Sequence, residues 1–280
     1  MHFVCLIVSL QTINLKTLHK AMKSLKITEK AKTTIRRLFS QRYSVNTLKH
    51  DPELTAIFDN FAYDESLALT EGPVLEKTRV MCILASTIGC GSKLEFRNYV
   101  DACLNVGVKP REIREVVYQA MPYVGFNYVI DLLPIMNEVF ENNDIKLPLD
   151  DQATTTPEDR KEKGRAYMEE VFGEGAVDNM YETCPKGQEH IIDFLQSYCF
   201  GDYYTRKGID AQHRELMTFC FLASLGGCPN QMESHAVANK NTGTSKTEMV
   251  AAVTAMLPYI GFPRSLQALN AINKAYEHQF

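Results

Sequence analysis

"NVGVKPREIREVVYQAMPYVGF" (residues 105–126) and "NTGTSKTEMVAAVTAMLPYIGF" (241–262) run in step, without a gap, from Gly107/Gly243 to Gly125/Gly261. A second pair, "CILASTIGC" (82–90) and "CFLASLGGC" (220–228), precedes them in the same order. The chain therefore states one pattern twice. Self-similarity at this spacing predicts a module of about 120–140 residues, the usual size of one domain, duplicated and fused.

Both copies carry the period of a helix rather than a strand. Met249, Val250, Val253, Leu257 and Ile260 recur at helical spacing in the second, and Ile113, Val117, Met121 and Val124 do so in the first. Ser245 with Glu248 forms a capping box: the hydroxyl accepts an orphan N–H and the carboxylate reaches back to the cap. Pro110 suits a first helical position, and Gly243 suits the left-handed turn that ends the preceding helix. Few segments alternate as strands do. The expectation is an all-α fold of antiparallel helical hairpins. "LMTFCFLASLGG" (216–227) is apolar almost all round and must be covered on every side. The other copy is the natural cover, so the two repeats are expected to pack as a pseudo-two-fold pair.

Between the copies lies "DIKLPLDDQATTTPEDRKEKG" (144–164), polar, threonine-rich and proline-bearing, with the composition of a linker. The boundary is placed near residue 155, with a first domain over 22–150 and a second over 156–280. Residues 1–21 include the apolar "FVCLIVSL" (3–10) but lack the basic flank and cleavage pattern of a secretory signal. They are read as an N-terminal extension, either a frayed helix or an upstream mis-start, and the protein as cytoplasmic.

Composition narrows the function. A net charge of −4 gives no basic face for nucleic acid, and no apolar run approaches the length of a membrane span. Eight cysteines include no Cys-x-x-Cys pair and no zinc-type spacing, so they read as reduced, space-filling thiols. A phosphate-cradling glycine loop is missing too, and neither metal nor cofactor is expected.

The chemistry-bearing residues cluster in the second copy. Glu215, in "HREL" (213–216), stands near the start of the apolar helix. Cys228 opens the next helix, and Cys228, Gln231 and His235 share one of its faces. In an antiparallel hairpin His235 comes within reach of Glu215. A carboxylate that fixes the tautomer of an imidazole makes a general acid/base. The same two residues also occur as a pair that merely closes a helix end, and spacing leaves both readings open. Cys228 taken alone reads as a small hydrophobe or as a redox thiol.

From about Arg160 to Phe280 the chain resembles the carboxymuconolactone decarboxylase family. The resemblance is carried by "FGDYYTRKGIDAQHRELMTFCFLASLGG" (200–227), by His235 in "QMESHAVANKNTG" (231–243), and by "EMVAAVTAMLPYIGFPRSLQALNAI" (248–272). Residues 50–140 resemble the same family in degraded form. The resemblance implies an all-helical fold forming ring-shaped trimers or hexamers with active sites between helices, and a fused pair makes a homotrimer the natural equivalent of a six-domain ring. It also implies a proton relay between Glu215 and His235. In the alkylhydroperoxidase-D-like branch a Cys-x-x-Cys pair precedes the histidine; here Cys228 is kept and Gln231 stands in the second position. The expected activity is cofactor-independent decarboxylation of a small carboxylated lactone, with Glu215 and His235 catalytic. Arg206, Arg214 and Tyr204 are the expected holders of the anionic substrate. The alternative is a thiol-dependent, peroxiredoxin-type peroxidase or reductase centred on Cys228, and a scaffold without catalysis is a third reading.

The first copy departs at the decisive positions. Aligned on the shared segments, Tyr99 occupies the place of His235 and Lys77 that of Glu215. Tyrosine, with a pKa near 10, does not exchange protons near neutrality as histidine does. The first half is expected to be a structural partner, or less directly to supply walls to the same pocket.

Overall fold

The computed structural model describes residues 26–40 and 50–277. The proposed extension, 1–21, lies outside them. Every regular element among the described residues is helical. The first half contains α1 (Glu29–Leu38), α2 (Pro52–Asn60), α3 (Glu76–Gly89), α4 (Lys93–Asn105), α5 (Pro110–Gln119), the short α6 (Met121–Val124) and α7 (Phe126–Val129), and α8 (Leu133–Asn142). The second contains α9 (Arg160–Phe172), α10 (Ala176–Thr183), α11 (Glu189–Phe194), α12 (Ala211–Leu225), α13 (Pro229–Asn241), α14 (Lys246–Ile260) and α15 (Phe262–Glu277). The all-α expectation holds.

Local signals act as read. The Ser245 hydroxyl accepts from the Glu248 N–H at 3.2 Å, and a Glu248 carboxylate oxygen accepts from the Ser245 N–H at 2.7 Å. Gly243 adopts a positive φ of 92° just past the end of α13. The helix read through residues 113–124 is interrupted, however, and α5 ends at Gln119. Pro122 lacks the N–H that would bond back to Tyr118, which favours a break there. In the second half Pro258 sits inside an unbroken α14.

α3 and α12 lie against one another at the centre of the molecule. α12 is buried continuously from Arg214 to Ser224, as its all-round apolar pattern requires. A Cβ on Gly89 would lie 2.6 Å from the Ser224 Cβ and 2.9 Å from the Phe221 carbonyl oxygen, so only glycine permits this crossing. Each half also covers the other's central helix: α14 packs on α3, while α5 and α6 pack on α12. One apolar core consequently runs through both halves, from Ile83 and Phe96 to Phe219 and Met256.

The polar connection at 144–159 is irregular but not loose. Arg114 donates to the carbonyl oxygens of Leu149, at 2.9 Å, and of Asp150. Ile145, Leu147 and Leu149 pack against the core. α2 and α11 each continue into a wider, π-type helical segment, Phe61–Ser66 and Leu195–Tyr204 respectively. Such insertions re-aim side chains and recur at functional sites. The second carries Cys199, Phe200 and Tyr204 towards the site described next.

Candidate active site

α12 and α13 form the antiparallel hairpin that the spacing predicts. Gly226 and Gly227, both with positive φ (73° and 74°), make the turn between them. This sets Glu215 beside the second turn of α13. His235 Nδ1 lies 2.7 Å from Glu215 Oε2, the carboxylate is fully buried, and only 8% of the imidazole is exposed. Asn239, one turn further on, donates to the backbone carbonyls of both Glu215 (2.9 Å) and His235 (2.8 Å). The carboxylate thus holds Nδ1 and leaves Nε2 as the nitrogen that faces outward.

Nε2 meets Tyr123, which belongs to the first half. Its hydroxyl is 3.3 Å from Nε2, and the two rings stand edge to face with centroids 5.5 Å apart. Phe172 of α9 brackets the imidazole in a second edge-to-face contact, also at 5.5 Å. The Tyr123 hydroxyl continues to Tyr204 at 2.5 Å, and Tyr204 to Thr218 at 2.7 Å. Burial, above all, raises both phenol pKa values well above their ordinary range, so both remain protonated hydroxyls.

A cavity of about 560 Å³ opens on the His235 ring. Its walls are mostly apolar: Met168 and Phe172 from α9, Met180 from α10, and Leu195 and Phe200 from the π-type segment. The polar lining is Tyr123, Asn179, Asn230, Gln231, Ser234 and His235, with neither lysine nor arginine among the lining residues. The space suits a small organic molecule.

The structure brings Glu215 and His235 together but disperses the remaining site residues read from the sequence. Arg206 and Arg214 do not line the His235 cavity. Both turn to Glu115 of α5: Arg206 donates to its two oxygens at 2.9 and 3.0 Å, and Arg214 to one at 3.2 Å. Arg214 also donates to Gln119 Oε1 at 2.8 Å, and Gln119 donates to the Thr218 hydroxyl at 3.3 Å. A fully buried carboxylate on the neighbouring half thus pairs with both guanidiniums. Tyr204 stands behind Tyr123 and lines a separate shallow groove shared with Arg206 and Arg214.

Cys228 is the N-cap residue of α13, and its thiol donates to the Leu222 carbonyl at 3.4 Å. It is not among the cavity-lining residues, and burial raises its pKa. Cys199 lies closer to the centre, 3.9 Å from the Tyr123 hydroxyl, with a pKa pushed up to about 12 by burial. Among the described residues no three His, Cys, Asp or Glu side chains converge as a metal ion would require.

Sequence reasoning passed over Tyr123, Thr218, Gln119 and Glu115. A signal for Tyr123 was present, since it occupies the same repeat position as Tyr259. Tyr259 of the second half crosses to hydrogen-bond Tyr99, the residue in the place of His235, with ring centroids 5.4 Å apart. Each half sends its tyrosine to the other, but only one of the two meets a histidine.

Residues 190–274 match the sequence model of the carboxymuconolactone decarboxylase family, as the resemblance implied. Over 120 residues the chain is 25% identical to 4-carboxymuconolactone decarboxylase of Acinetobacter baylyi, covering 43% of this chain and 89% of that protein. A crystal structure from Burkholderia xenovorans, described as a γ-carboxymuconolactone decarboxylase subunit, superposes with a TM-score of 0.50 at 16% identity. That superposition takes in 89% of this chain and 97% of the other, so the fold of both halves has a counterpart there. The family match contains Glu215, Cys228 and His235 but stops short of Tyr123.

Proposed function

We propose that the chain is a cofactor-independent lyase of the carboxymuconolactone decarboxylase type, acting on a small carboxylated lactone with Glu215 and His235 as the proton-delivering pair. The observation that carries this reading is the 2.7 Å Glu215–His235 contact at the wall of an apolar cavity, in the segment that matches the family.

The chemistry follows from the surroundings. A substrate carboxylate that enters this cavity exchanges water for Asn179, Asn230, Gln231 and Ser234, without a guanidinium partner. An apolar wall disfavours a compact charge more than a dispersed one. Breaking the bond to the carboxylate releases carbon dioxide and sends its electron pair into the conjugated lactone carbonyl, where the charge spreads. His235 Nε2–H then protonates carbon, Glu215 stabilises the imidazolium before transfer, and solvent restores the proton.

Cys228 is poorly placed for the thiol alternative. Its hydrogen bond to Leu222 O and its raised pKa both oppose the thiolate that peroxide chemistry requires. The test is turnover of 4-carboxymuconolactone and related lactones, followed by carbon dioxide release. His235→Ala should lower kcat by about 100- to 10,000-fold, the usual contribution of a positioned acid or base. Cys228→Ala should leave it unchanged. Wild-type turnover by His235→Ala sinks the proposal, and peroxide consumption that disappears with Cys228→Ala transfers the assignment to the thiol.

A further inference from the structure

The first half has lost the relay yet delivers one side chain to the cavity. Tyr123 sits on α6, a single turn between Ala120 and Gly125, whose φ is 82°. From there its ring lines the cavity and its hydroxyl stands 3.3 Å from His235 Nε2. Behind it, Tyr204 and Thr218 extend a chain of hydroxyls into the protein. A phenol backed by further hydroxyls is already oriented and need not reorganise when charge appears in front of it.

We infer that Tyr123 is a catalytic residue contributed by the degenerate half: its O–H donates to the enolate oxygen that forms as the carboxylate leaves, while His235 protonates carbon. This inference rests on the lyase reading above and deepens it. The balance is complete. The carbon–carboxylate bond breaks, its electron pair moves to the carbonyl oxygen, and the Tyr123 proton is shared but retained. The one proton consumed passes from His235 Nε2 to carbon. The geometry separates the two tasks, since Glu215 fixes the imidazole from the Nδ1 side and leaves Nε2 beside the phenol hydroxyl, with both residues lining the cavity.

The silent counterpart shows the same arrangement without its chemistry. Tyr259 reaches Tyr99 as Tyr123 reaches His235, and there both rings close on Phe39 and Phe58 in edge-to-face packing. The first half then persists for more than covering apolar surface: removing it would leave the histidine without its neighbouring donor.

The test uses the full chain with Tyr123→Phe, which keeps the ring and removes the hydroxyl. 4-Nitrophenol serves as the probe, because its anion spreads charge from a single oxygen as an enolate does and its visible band reports ionisation. Nitrobenzene, which lacks that oxygen, reports whether the cavity is intact. Tyr123→Phe should weaken nitrophenolate binding at least tenfold, leave nitrobenzene affinity within twofold, and lower kcat about 100-fold, the effect of removing one oxyanion donor. Nitrophenolate affinity and kcat both within twofold of wild type overturn the assignment of Tyr123, whatever His235→Ala does. If His235→Ala keeps full turnover while Tyr123→Phe loses nitrophenolate, the lyase reading falls and the anion site stands. Loss of nitrobenzene binding alongside nitrophenolate binding marks Tyr123 as a wall of the cavity and rejects its role as a donor.

Discussion

Glu115→Ala removes the anion that holds two arginines of the other half, and its cost can be worked from the contacts. Glu115 is fully buried, Arg214 is 1% exposed and Arg206 is 11% exposed. Arg206 loses both hydrogen bonds in the variant but lies near the surface, 3.9 Å from Asp151, and can turn towards water. Arg214 cannot. It keeps Gln119 Oε1 and the carbonyls of Arg206 (2.7 Å) and Lys207 (3.1 Å), all uncharged, so its charge stays buried without a counter-ion. An uncompensated buried charge costs about 3–5 kcal/mol. Arg206→Ala removes charge-assisted hydrogen bonds while Arg214 still faces Glu115, and should cost only about 1.5–3 kcal/mol. The double variant should cost little more than Glu115→Ala alone, because the two share one network. Urea unfolding followed by far-UV circular dichroism measures all three, and the shared core predicts one cooperative transition. The effect should survive added salt, since the pair is shielded from solvent. A cost for Glu115→Ala below about 1 kcal/mol, or one that vanishes in high salt, would refute the reasoning, because it would make this an ordinary surface pair.

Three further outcomes are expected. Gly164→Ala places a Cβ 1.8 Å from the Gln196 carbonyl oxygen and 2.7 Å from the Gly201 nitrogen, so α9 must move off the π-type segment; unfolding experiments should show a loss of about 1–3 kcal/mol or more. KM should rise as well, since α9 carries Met168 and Phe172 into the cavity wall. Tyr99→His should create no second active site, because Lys77 stands where Glu215 would be needed, and thermal unfolding should come earlier as Phe39 and Tyr259 lose their buried partner. The raised pKa of Cys228 means less thiolate at any given pH, so its alkylation by iodoacetamide should run slower than that of free cysteine at pH 8 and reach its midpoint at higher pH; a midpoint below that of free cysteine contradicts the burial argument.

Much of the architecture was legible before any coordinates. The helical period at 249–260, the Ser245–Glu248 cap and the all-round apolar stretch at 216–227 each specify local structure, and each appears as read. Glu215 and His235 could be paired from spacing because a short turn and 3.6 residues per turn fix which faces of one hairpin meet. The partner of Arg206 and Arg214 was not legible in the sequence, because Glu115 lies about a hundred residues away on the other half. The interruption before Met121 was also hidden, as Pro258 occupies the same repeat position in an intact helix.

The sequence by itself determined the helical period, the helix caps and the all-round apolar stretch, and it set Glu215 and His235 on meeting faces of one hairpin. Only the tertiary structure decided that Tyr123 crosses to His235, that Glu115 claims both arginines, and that the cavity wall is apolar. Periodicity and capping act over one or two turns of chain, whereas contacts between the halves depend on how two finished surfaces dock, and no short-range pattern encodes that geometry.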